Sequence, residues 1–71
     1  MQQIQRKLGA RIRELRKRRG LTQEAFADLS GIHRSYMGAI ERGQRNLTLA
    51  SLHTLAQSLN TTISKLFQGI D

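Results

Sequence analysis

Seventy-one residues with no cysteine and no proline describe one small domain over residues 1–71, which neither a disulfide nor a thiolate metal site can staple. No apolar run approaches the roughly 18 residues of a membrane span and the first residues lack the apolar stretch of a signal peptide, so a cytoplasmic protein is expected. The formal net charge is +7, a sign that suits a polyanionic partner.

Ile4, Leu8, Ile12 and Leu15 recur at spacings of four, four and three, which predicts a first amphipathic helix over about residues 3–18. Its polar face is almost entirely basic. Arg6, Lys7, Arg11, Arg13, Arg16, Lys17, Arg18 and Arg19 face Glu14 alone, whereas the rest of the chain balances four cations with four acids. A one-ended basic field fits nucleic acid, and it equally fits a solvated helix face. Gly20 ends the helix. Thr22 is an N-cap residue with Glu24 in the following turn, and a second helix is expected to about Leu29, burying Phe26 and Ala27. Gly31 is the left-handed turn residue. A third helix is expected over about residues 33–41, with Met37 and Ile40 inward, and Gly43 stops it. Gln44-Arg45-Asn46-Leu47 reads as a loop. Thr48 caps a fourth helix striped by Leu52, Leu55, Ala56 and Leu59, and Asn60 suits a left-handed C-terminal position. Thr62 caps a short fifth helix carrying Ile63, Leu66 and Phe67. The predicted architecture is all-α, a five-helix domain, because no alternating run is long enough for a strand.

The informative stretch is Gln23 to Arg42, QEAFADLSGIHRSYMGAIER. Two short helices joined by a tight turn at Gly31, with small Ala27 at their crossing and Ile32, Met37 and Ile40 fixing the second on the first, make a helix-turn-helix. An ordinary helical hairpin is the alternative, and the basic segment beside it favours the DNA-binding arrangement.

IRELRKRRGLTQEAFADLSGI, SYMGAIERG and LASLHTLAQSLNTTISKLF together resemble the phage-repressor/Cro-like family of five-helix DNA-binding domains, over about residues 4–68. GIHRSYMGAIERGQRNLTL is most similar to the controller proteins of restriction-modification systems. That resemblance implies a stand-alone domain acting as a homodimer on a palindromic operator. The chain departs from the family pattern at His33, where Ser, Thr or Asp is common, at Leu47, where Pro is frequent, and at Leu29, usually polar.

Candidate site residues follow from the faces. On the third helix, Ser35, Gly38 and Ala39 lie opposite Met37 and Ile40, with Arg34 beside them. Arg34 is the best base reader, because arginine reaches guanine O6 and N7 with two parallel bonds; a phosphate contact is the alternative. Ser35 offers a hydroxyl to a base or phosphate, and Ala39 a methyl to a thymine methyl. Tyr36, at the edge of the buried face, either presents its hydroxyl to DNA, as the resemblance implies, or forms part of the domain wall. Gly38 either gives clearance at a groove wall or is a tolerated glycine on a marginal helix. Backbone-contact candidates are Gln23, His33, Arg42, Gln44, Arg45 and Asn46; a solvated loop is the alternative for those after Glu41. The resemblance implies that Gln23 braces a phosphate contact, and that Arg16 pairs with Glu41 while touching phosphate. Most of the remaining cations of the first helix read as a diffuse field. Ile63, Leu66, Phe67 and Ile70 form an apolar set expected to build a C2 dimer interface.

Other functions have less support. An antitoxin-type protein-interaction module that also binds DNA is the main alternative, but no toxin-binding segment is evident. Aromatic platforms for single-stranded nucleic acid are missing. Neither a nucleophile–base–acid set nor a phosphate-cradling loop appears, so no enzyme is expected. His33 and His53 lack ligand-spaced partners, so no metal, cofactor or small-molecule ligand is expected.

Overall fold

The four-four-three stripe becomes helix α1, Gln2–Arg18, in the computed structural model, which describes residues 2–70. Ile12 is fully buried and Leu8 nearly so, while Ile4 in the first turn is exposed. The last turn carries Arg16, Lys17 and Arg18, cations that favour the negative end of the helix dipole.

Helix α2 spans Gln23–Ser30 and α3 spans Arg34–Glu41. Thr22 Oγ1 accepts from Ala25 N–H at 3.1 Å and starts α2. Gly31, at φ +67°, stops it. No atom lies near a Cβ built there, so conformation and not space calls for glycine. The reversal closes when Ile32 N–H donates to the Ala27 carbonyl at 3.0 Å. Helix α4, Leu49–Ser58, and α5, Ile63–Leu66, start the same way, with Thr48 and Thr62 accepting from Ser51 N–H and Lys65 N–H. Asn60 takes the left-handed conformation at φ 55°.

Helix α1 packs on α3 and α5, α2 packs on α3 and α4, and α4 packs on α5. Phe26, Ile12, Met37, Ile40, Leu55 and Leu66 are the largest side chains sealed in the shared core. Gly9 sets the α1–α3 crossing. A Cβ there would collide with the Ile40 carbonyl oxygen and lie 2.7 Å from that of Glu41, so only glycine lets the two backbones approach this closely.

One expectation is corrected. Leu66 is 0% exposed and belongs to the core of its own chain, so it offers nothing to a partner. Helix α5 is one turn long and lies over α1 and α4, which takes this residue inward; Ile63, Phe67 and Ile70 stay half-buried against the same core. Arg11 is an exception to the diffuse field. Its Nε and Nη2 both donate to the Lys65 carbonyl at 3.2 Å, tying α1 to the C-terminal end of α5. No helix is long and apolar enough to cross a membrane, and the described residues hold no cluster of metal-ligating side chains.

Candidate nucleic-acid interface

Helix α3 is wedged between α1 and α2, and only its first turn stands clear. Met37, Gly38, Ala39, Ile40 and Glu41 are all buried, while Arg34 and Ser35 are exposed. The turn at Gly31 aims this open end outward beside the start of α2, so Gln23, Glu24, Arg34, Ser35 and Arg42 line one shallow hollow. Backbone N–H groups at two helix N-termini border that hollow and favour anions, while the carboxylates of Glu24 and Asp28 lie on its other side.

His33 caps α3. Its Nδ1 accepts from Ser35 N–H at 3.3 Å and lies 2.7 Å from Ser35 Oγ. A neutral imidazole that accepts at Nδ1 carries its proton on Nε2, so His33 keeps an N–H donor for a second partner. The ring thus replaces the smaller cap of the family pattern.

Arg34 projects from the first turn, about two-thirds exposed, with Nη1 3.5 Å from Glu24 Oε1. A pair this open adds little stability in water and is easily exchanged for another acceptor. Glu24 is a neighbour that sequence reasoning did not assign to the site. The only signal was its place in the first turn of α2, and the turn angle that brings it to Arg34 is a tertiary property.

The second half of the site is built from below. Arg16 Nε and Nη2 donate to the two Glu41 carboxylate oxygens at 2.7 and 3.0 Å, and Nη1 donates to the Leu21 carbonyl at 2.8 Å. Gln23 Nε2 donates to Glu41 Oε1 at 3.2 Å, which leaves its carbonyl oxygen turned toward Gly38. With its guanidinium engaged on three sides, Arg16 is 7% exposed, a brace beneath Gln23 with little surface of its own.

Beyond Glu41 the chain reverses at Gly43, where φ is +75° and the backbone presses on Arg6. Arg42 Nε donates to Gln44 Oε1 at 3.2 Å. Arg45 stacks over the Tyr36 ring at 4.9 Å from its centroid, and Asn46 is exposed beside them. Tyr36 is half-buried against the core and offers its ring face to the loop arginine.

Two readings of the α3 face need correction. Ala39 is only 9% exposed, because Gln44 N–H bonds back to the Ala39 carbonyl and folds the loop over that turn. Gly38 is not open to an approaching surface. A Cβ there would lie 3.1 Å from Arg42 Nη1 and 3.4 Å from Gln23 Oε1, so its clearance is filled by the chain's own polar side chains.

A helix-turn-helix family model matches residues 12–66. The control protein C.SmaI of Serratia marcescens is 45% identical over 65 residues, covering 89% of this chain and 77% of that protein. The crystal structure of the restriction-modification controller protein C.AhdI from Aeromonas hydrophila superposes with a TM-score of 0.85 at 50% identity, covering 87% of this chain and 94% of that one. The controller protein C.Esp1396I, solved as a tetramer with its natural 35 base-pair operator, superposes with a TM-score of 0.82 at 34% identity, covering 92% and 86% of the two chains.

Proposed function

The chain belongs to the helix-turn-helix family, and on that premise we propose that it is a sequence-specific regulator of transcription that docks α3 in the major groove of duplex DNA. One observation carries the reading: α3 is buried everywhere except its first turn, and that turn offers Arg34 and Ser35. Arg34 reads a base edge. Gln23, His33 Nε2, Arg42, Gln44, Arg45 and Asn46 hold phosphates on either side, and Arg16 acts through Gln23. The likeness to control proteins supports the narrower role of a restriction-modification controller. A relative solved as a tetramer on its operator supports assembly of several copies on DNA, proposed here as a homodimer on an inverted repeat, and this chain's lack of cysteine fits the cytoplasm proposed for it. Of the expected interface set, Ile63, Phe67 and Ile70 keep part of their surface for such a dimer.

Selection of bound fragments from random duplex DNA tests the proposal. The expected product is an inverted repeat whose half-sites lie about one helical turn, ~10–11 base pairs, apart. Recovery of unselected sequence would overturn base readout, and recovery of a single unrepeated site would overturn the dimer.

A further inference from the structure

The basic side chains of α1 divide into two groups by what they touch. Arg11 is bonded to the Lys65 carbonyl, Arg16 to Glu41, and Arg18 to Glu14 at 2.9 Å. Arg6, Lys7, Arg13 and Lys17 are exposed and have neither an ion pair nor a side-chain hydrogen bond among the described residues; Lys7 lies apart, on the α5 side with Arg11 and Gln68, and leaves the other three. Spacings of seven and four place these three on one face of the helix, a row about 16 Å long. Glu14, the helix's single acid, borders Arg13 and Lys17 but gives its two carboxylate oxygens to Arg11 and Arg18.

That row runs along the edge of the proposed DNA face. Arg6 shares a hollow with Arg42 and Gln44, and its Cα lies beneath Gly43. Arg13 shares the next hollow with Gln23, Gly38 and Arg42. Lys17 and Arg13 share a third with the Glu14–Arg18 pair, above the Glu41 end of α3. Arg42 joins the first two hollows and Arg13 joins the last two, so the cations form one continuous track from the loop after α3 to the end of α1. Three unpaired like charges in a row repel one another, and a polyanion laid along them removes that repulsion.

We infer that Arg6, Arg13 and Lys17 form a second backbone-binding track, which holds DNA phosphates beside the groove that α3 occupies. The inference rests on the duplex-binding reading above. The track carries no sequence information. It adds affinity and salt dependence through counterion release.

Equal changes of charge at different places separate this track from a diffuse field. Arg13→Gln and Lys17→Gln remove one charge each from the track. Lys7→Gln and Lys65→Gln remove one charge each from the flank on which α5 lies. Binding of all four and the parent to a mixed-sequence DNA duplex is measured by fluorescence anisotropy from about 50 to 200 mM salt, with circular dichroism reporting folding. The track variants should each lower the salt slope by about 0.9, so that their deficit against the parent shrinks about three- to fourfold across that range, with the flank variants near the parent. Four variants with the same slope would overturn the track while leaving the groove reading intact. A parent that fails to bind duplex DNA at all would overturn the reading on which the track rests.

Discussion

Arg16 and Glu41, 25 residues apart, meet as a two-pronged ion pair with side chains only 9% and 3% exposed. The pair fastens α1 to the end of α3 and, through Gln23, to the start of α2. Three elements of the proposed interface are thus referred to one carboxylate.

Glu41→Ala strands the Arg16 guanidinium in a nearly dry site and removes the Gln23 partner. Breaking a buried pair on one side costs about 3–5 kcal/mol, and in a domain of this size the melting temperature should fall by more than about 10 °C. Arg13→Ala, on the open face of α1, should change stability by no more than about 0.5 kcal/mol. Thermal melts followed by circular dichroism give both values, and equal melting temperatures would remove the brace from the account.

Gly9→Ala places a methyl group against the backbone of Ile40 and Glu41, which cannot swing aside. Helix propensity favours alanine by up to about 1 kcal/mol, but overpacking of this kind costs about 1–3 kcal/mol. The expected result is a lower melting temperature. An unchanged or raised value would mean that α1 and α3 separate freely.

Gly38→Ala meets only the far ends of Arg42 and Gln23. Those ends move at little cost, so the propensity gain should dominate and stabilise the protein by up to about 1 kcal/mol. The displaced groups are two proposed phosphate contacts, and duplex DNA binding should weaken. A variant that is more stable and binds as tightly as the parent would show that neither position of those side chains matters to DNA.

These two glycines mark what was legible in the sequence. Thr22, Thr48 and Thr62 were readable as caps because capping is local, and Gly31 because a left-handed turn between two short helices calls for glycine. Gly9 was not readable, since the atoms it must clear are 31 and 32 positions away in α3. The Arg11 tether to the Lys65 carbonyl joins residues 54 apart and leaves no periodic trace. Leu66 was misassigned because a one-turn helix has too little periodicity to separate its own core from a partner's surface. Ala39 and Gly38 were drawn as exposed from a helical projection, which knows nothing of the loop folded over one and the side chains laid over the other.

The central claim is that the first turn of α3 reads a base through Arg34, and the binding profile of Arg34→Ala over every single-base variant of the selected operator tests it most directly. Losing a bidentate contact to guanine costs about 1–3 kcal/mol at one position, so preference should flatten at one base pair per half-site and persist elsewhere. Gln23→Ala, measured alongside, should weaken all variants alike, as a phosphate contact does. A uniform loss of affinity for Arg34→Ala, with the preference profile unchanged at every position, would contradict the account and make Arg34 a backbone clamp.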